Sequence, residues 1–218
     1  MNPDYVIRPA LESDLGEIMV LLEDRVAWLR DHGSDQWPNV GEWRPVLQYL
    51  IRRRHTWVLV TNDRRDEIAG TITLTRDPEF DFWNARERAR PALYVSKLAT
   101  AVSYGGLGLG ELILDWAVDR AARLKIKHVR LDVWRASEGL HQYYEKRGWR
   151  HVRTVPLGHR RSGTLFERSA VRVRPNLTEI DDPPFGRHRP GGDRRQWLAR
   201  KIVPTTPPSA VRHRQPAH

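Results

Sequence analysis

Four glycines fall within six residues: Gly105, Gly106, Gly108 and Gly110 separate the strand-like run "ALYVSKLA" (92–99) from an apolar run of helical spacing over 109–124. Glycine costs about 1 kcal/mol relative to alanine inside a helix. Such a cluster therefore belongs where the backbone turns sharply and leaves its N–H groups uncovered. At a helix N-terminus those groups add to a dipole worth about half a positive charge, and the ligand they suit is an anion, phosphate above all. A P-loop would need Lys and then Ser or Thr after its last glycine, but Glu111 and Leu112 follow Gly110. The dinucleotide fingerprint G-x-G-x-x-G fails because Glu111 or Ile113 stands at its third glycine. The pattern Q/R-x-x-G-x-G/A fits at Gly108 and Gly110, with Gly105 at its first position. A glycine-rich turn that binds nothing is the plain alternative.

A second stretch, "DVWRASEGLHQYYEKRGW" (132–149), ends in Tyr144, Gly148 and Trp149. Taken with the glycines, and in the same order along the chain, it resembles the GNAT family of N-acetyltransferases. That family's second pattern is Asn, then Ala three residues on, then Tyr-x-x-x-Gly-Phe. Here Ser137 stands at the Asn position, Leu140 at the Ala position and Trp149 at the Phe position, while Gly105 replaces the first motif's usual Gln or Arg. The resemblance covers residues 5–169.

The resemblance implies acetyl-CoA as co-substrate. Its pyrophosphate would lie on the N–H groups of Gly105, Gly106, Leu107, Gly108, Leu109 and Gly110, and its pantetheine arm along the backbone of Leu98, Ala99 and Thr100. Ser137 keeps a hydroxyl for the carrier while losing the reach of Asn. An N–H at Leu98 or Ala99 would hold the acyl oxyanion. Tyr144 would give a proton or hydrogen bond to the departing thiolate, since a phenol titrating near ~10 is neutral at pH 7; its neighbour Tyr143 competes for that assignment. Asp132 alternates with Leu131 and Val133 and so faces the other side of its strand. It reads equally as general base, substrate anchor, or ion-pair partner of Arg130 or Arg135. Asp35 and Trp37, with Asp81 and Trp83, lie in the two irregular segments at 32–39 and 79–84. They offer acids and aromatic faces suited to a cationic amine, unless the tryptophans merely cover the sheet edge.

The elements that must position these residues are legible from pattern. A strand at 5–10 precedes a helix from Leu15 to about Gly33, with Leu15, Ile18, Leu22, Val26 and Leu29 at helical spacing. A loop with two exposed-looking tryptophans (35–43) and a helix at 44–54 follow. A hairpin pairs "TWVLVT" with "EIAGTITLT". Beyond the glycines come a strand at 128–134, a helix at 138–147 and strands near 149–156 and 163–168. This order predicts an α/β domain with a mixed sheet flanked by helices, and the resemblance implies a GNAT-like acyl-CoA N-acyltransferase fold for it, over residues 1–169.

The chain has 218 residues, a net charge of +10 and no cysteine, which excludes disulfides and thiolate metal sites. Nine Arg and one Lys against four acids place +6 of that charge in residues 170–218, together with eight of the fifteen prolines. This segment reads as a poorly ordered basic tail. The histidines show no metal-ligand spacing, so no metal is expected. The N-terminus lacks a signal-peptide pattern and no apolar run nears the ~18 residues of a membrane span, so a cytoplasmic enzyme without a membrane partner is expected. The expected partners are an amine of a small molecule or protein and a second copy of the chain. A CoA-binding regulatory or nucleic-acid-associated module, acting through the basic tail, is the alternative function.

Overall fold

Runs of β-branched and aliphatic residues form the strands β1 (Tyr5–Pro9), β2 (Thr56–Thr61), β3 (Ile68–Thr75), β4 (Ala92–Thr100), β5 (His128–Trp134), β6 (Arg150–Thr154) and β7 (Ser162–Ser169), with a short β8 (Thr178–Glu179). They make one mixed sheet in the order β6-β7-β5-β4-β3-β2-β1-β8. The computed structural model describes residues 4–37, 39–62 and 67–181. Helices α1 (Leu15–Asp31), α2 (Arg44–Arg52), α3 (Ala85–Arg88), α4 (Leu109–Arg123) and α5 (Glu138–Lys146) fill the intervals.

Strand alternation sorts the helices onto two faces. Leu93, Val95, Val129, Leu131 and Val133 join Ile113, Leu114, Trp116, Ala117 and Tyr144 of α4 and α5 in one buried cluster. Val58, Val60 and Ile68 point the other way, to Ile18, Leu22, Leu47 and Ile51 of α1 and α2. Each fully buried Leu, Ile or Val contributes about 1.5–3 kcal/mol, so both apolar stripes are strongly specified. On this second face Phe82, Trp83, Ala92, Tyr94 and Leu165 make a third cluster.

The folded part extends past the expected boundary at 169. After β7 the chain runs along α4, where Val173 N–H and Arg172 Nε donate to Asp119 Oδ1 at 3.1 and 2.9 Å. It then adds β8 parallel to β1, pairing Val6 with Thr178 and Ile7 with Glu179. The Glu179 carboxylate accepts from Trp116 Nε1 at 2.8 Å and from Arg120 and Arg123. Residues 170–181 are therefore a strap bonded to α4 and the sheet edge, not part of a loose tail. Ala170, Val173 and Leu177 also pack against the main core cluster, so apolar contact and ion pairs hold the strap together. The tail beyond 181 lies outside the described residues.

Candidate active site at the strand split

β4 and β5 are parallel neighbours only from Ala92↔His128 to Val95↔Leu131. Beyond that point β4 stays on β3 as far as Thr100↔Gly70, and β5 stays on β7 as far as Trp134↔Ser162. A bulge in β4 separates the pairs Thr73↔Ser96 and Thr71↔Ala99, and it contains Lys97 at φ 52°. An extra residue bends and twists the strand that carries it, and here the bend opens a wedge between two strands. Ala101 N–H donates to Ala69 carbonyl at 2.9 Å. Main-chain groups of an antiparallel ladder alternate in direction, so Ala99 and Ala101 face β3 while Thr100 faces the split, with Leu98 in the bulge just before them. Arg25 of α1 reaches the Thr100 carbonyl with Nε and Nη2 at 3.1 and 2.7 Å, and the Thr100 hydroxyl at 3.2 Å.

The glycine loop leads from β4 to α4. Gly106 and Gly108 have φ of 81° and 72°, the left-handed region open to glycine, and a β-carbon at either would meet no atom within 4 Å. Gly108 is the N-cap of α4. Within the loop, Gly105 N–H donates to Val102 carbonyl, Leu107 N–H to Tyr104 carbonyl, and Glu111 and Leu112 N–H to Gly108 carbonyl. Among the described residues the N–H groups of Gly106, Gly108, Leu109 and Gly110 find no main-chain acceptor, as the opening turn of a helix dictates. The cradle is thus narrower than six consecutive amides, and its space is open.

α5 forms the other wall. Ser137 is its N-cap, its hydroxyl accepting from Leu140 N–H at 3.3 Å. Tyr144 is buried among Phe166, Trp149 and Tyr143, with ring centroids 5.4, 5.7 and 5.4 Å away. Burial drives its phenol well above the ordinary value of 10, and the charges of Tyr143 and Asp132 add to the rise. Tyr143 is half-buried and its hydroxyl lies 3.6 Å from the place a β-carbon on Gly110 would take. The two tyrosines point to different parts of the wedge: Tyr143 to the cradle, Tyr144 to the apolar wall near Asp132. Asp132 is half-buried, one residue past the last β4–β5 partner.

The arginines on either side of Asp132 also hold other groups. Arg130, with no exposed surface, donates to Glu167 at 2.8 Å, to Tyr94 hydroxyl at 3.0 Å and to Glu87 carbonyl at 2.7 Å. Arg135 donates to the carbonyls of Leu157, Arg160 and Arg161.

The expected substrate residues separate in the structure. Asp35 is ion-paired with Arg161 of the β6–β7 loop. Trp37 is half-buried, edge-on to Trp43 at 5.5 Å, and both pack on the second core cluster rather than standing exposed. Asp81 is exposed. Trp83 is 1% exposed, edge-on to Tyr94, with the Arg130 guanidinium 4.9 Å from its ring centroid. A ring so enclosed has no face for a substrate; the apolar pocket under 79–91 claimed it. Sequence reasoning missed Arg25, whose target lies 75 residues away in the chain, and Arg147, whose only local signal is its place between Tyr144 and Gly148. Among the described residues no group of three or more His, Asp or Glu is arranged to hold a metal ion, and no helix is long and apolar enough to cross a membrane.

Comparison with known proteins places this wedge in context. The model of the acetyltransferase (GNAT) family matches residues 22–149, more than half of the chain. An uncharacterised N-acetyltransferase, YesJ of Bacillus subtilis, is 28% identical over 165 residues, covering 73% of this chain and 87% of that one. A GNAT-family acetyltransferase from Listeria monocytogenes superposes with a TM-score of 0.64 at 19% identity, covering 76% of this chain and 94% of its own. The PaiA N-acetyltransferase of Thermoplasma acidophilum, solved in complex with coenzyme A, superposes with a TM-score of 0.57 at 16% identity, covering 76% and 98%.

Proposed function

The chain belongs to the acetyltransferase (GNAT) family, and from that premise we propose that it moves an acetyl group from acetyl-CoA to a primary amine of a small molecule or protein by direct attack. One observation carries the reading: β4 and β5 part beside a bulge at Lys97 and Leu98, and the split so opened lies between an open glycine loop at the start of α4 and the Tyr144 wall of α5. When bound, acetyl-CoA supplies an activated thioester. The open space over Gly106 and Gly108 and their free amides fit its diphosphate.

In this reading Leu98 N–H, rather than that of Ala99, stabilises negative charge developing on the acyl oxygen, because Ala99 is committed to the ladder with β3 while Leu98 lies in the bulge. A preorganised N–H in a water-poor cleft acts more strongly than one in water. Thr100 aligns the carrier arm, with its carbonyl held by Arg25. Tyr144 stays protonated and donates a hydrogen bond to the leaving sulfur; its raised pKa favours a shared over a transferred proton. Asp132 sits where it can orient the incoming amine or take its proton. Ser137 keeps its capping bond while its hydroxyl proton remains available to the carrier.

The test is amine-dependent release of free CoA from acetyl-CoA by the full chain, across a panel of polyamines, aminoglycosides, amino acids and peptides, with product mass confirming N-acetylation. Binding of CoA without turnover on any amine would reduce the protein to a CoA-binding module.

A further inference from the structure

The loop presents a chemical gap. Its first position is Gly105, so it has no side chain there with which to meet an anion, and the first turn of α4 carries an acid, Glu111. A carboxylate so placed would repel a diphosphate lying on the neighbouring amides. The structure sets a cation against it. Arg147, just beyond the end of α5, has Nε 3.0 Å from Glu111 Oε2. Its guanidinium lies 3.8 Å from the centroid of the Tyr143 ring, and Nη1 donates to the Tyr143 carbonyl at 3.3 Å. Tyr143 in turn directs its hydroxyl at Gly110. Arg147, Tyr143, Glu111 and Gly110 thus form one cluster at the mouth of the cradle.

We propose that Arg147 is a carrier-binding residue that supplies the diphosphate of CoA with the side-chain charge that Gly105 cannot give. This rests on the acetyl-CoA reading above and adds a ligand to it. A guanidinium has five N–H donors; one on Nη1 goes to the Tyr143 carbonyl, Nε is near Glu111 without hydrogen-bond geometry, and the remaining Nη donors can meet an anion. Stacking on Tyr143 fixes the plane of the fork, so little side-chain freedom is lost when a phosphate oxygen arrives. Glu111 holds the arginine at the mouth and is itself neutralised. The half-buried Tyr143 is then the platform of the phosphate site, which separates its role from that of Tyr144.

Calorimetric titration of the full chain with CoA and with 3′-dephospho-CoA tests this, because both ligands keep the diphosphate. Arg147→Met should weaken both by about tenfold or more, the range of a charge-assisted contact, and should flatten the salt dependence of binding. Arg147→Gln, which retains a polar side chain of similar reach, should lose as much and guards against a folding defect. Arg147→Lys should recover part of the loss. Affinities within twofold of wild type, equal losses in Met and Lys variants, or a loss confined to CoA with its 3′-phosphate would each overturn the proposal. Failure of the wild-type chain to bind CoA would remove the carrier reading itself, a distinguishable result.

Discussion

Val95 and Leu131 are the last residues that face each other as partners across β4 and β5. One step further, β4 bulges at Lys97 and Leu98 and the strands part, so the bulge lies on one side of the gap and Asp132 follows on the other. The reacting groups of the proposed chemistry cluster at the point where the sheet stops being continuous. A strand pair that stayed closed would spend its N–H groups on its own ladder.

Tyr144→Phe should lower kcat by about a hundredfold or more, the usual scale for a lost proton or hydrogen-bond donor, with CoA affinity nearly unchanged. Tyr143→Leu, which removes the ring that Arg147 stacks on, should do the reverse, weakening CoA with a smaller effect on kcat. Because burial raises the Tyr144 phenol above 10, wild-type turnover should show no fall through pH 10 that belongs to tyrosine ionisation. Steady-state kinetics of both variants with the best amine decide the matter; wild-type turnover in Tyr144→Phe removes it from the donor role.

Gly108→Asp should abolish measurable CoA binding, since it adds a negative charge at the cradle and forces an L-residue to φ 72°. Gly108→Ala isolates the conformational part, about 1–2 kcal/mol at a left-handed position, and should lower the melting temperature by a few degrees. Unchanged CoA affinity in Gly108→Asp, by calorimetry, would move the diphosphate elsewhere.

Removing the strap should destabilise the fold. Truncation after residue 169 deletes Glu179, the acceptor for buried Trp116 Nε1 and for Arg120 and Arg123, and uncovers the β1 edge. Loss of such charge-assisted bonds is worth about 1.5–3 kcal/mol each before compensation by water. Thermal melts of chains ending at 169 and at 182 should differ by several degrees, with the longer one close to full length. Equal melting temperatures would mean that the strap contributes nothing.

Acid should unfold the protein through its arginine-paired carboxylates. Burial alone would raise Glu167 and Asp119, yet hydrogen bonds from Arg130 and Arg150, and from Arg172 and Arg123, outweigh it and hold both below their ordinary values. Hydrogen bonding from Arg153 does the same for Glu87. Groups depressed in the folded state bind more protons when unfolded, so stability is full above the ordinary carboxylate value of 4.5 and is lost as pH falls below it. His55 and His128, lowered by burial, begin the same trend below 6.5. Glu167→Gln should be less stable at pH 7 and show a shallower decline below pH 4.5; a parallel curve would contradict the assignment.

Most of the scaffold was readable because its signals are local. The helical spacing of Leu15, Ile18 and Leu22 and the stop at Gly33 bound α1. "HVRLDVW" is β5 to the residue. For Trp83 the sequence leaves open both a binding face and a packed ring, and the docking of 79–91 on Tyr94 and Leu165 makes it the packed one. The short α3 and β8 carry too few residues to leave a periodic trace.

By itself the sequence determined the order of elements, the glycine loop entering a helix, and the helical register that separates Tyr143 from Tyr144. These depend on backbone propensity and on side-chain period, both set within a few residues. Tertiary structure alone decided that β4 and β5 part after Val95 and Leu131, that the bulge at Lys97 lies at that parting while Ala99 stays on the β3 ladder, that Arg25 reaches Thr100 from α1, and that Arg147 meets Glu111 from the end of α5. Those outcomes depend on pairing register and on contacts between segments distant in the chain, where no local preference records which neighbour a residue will meet.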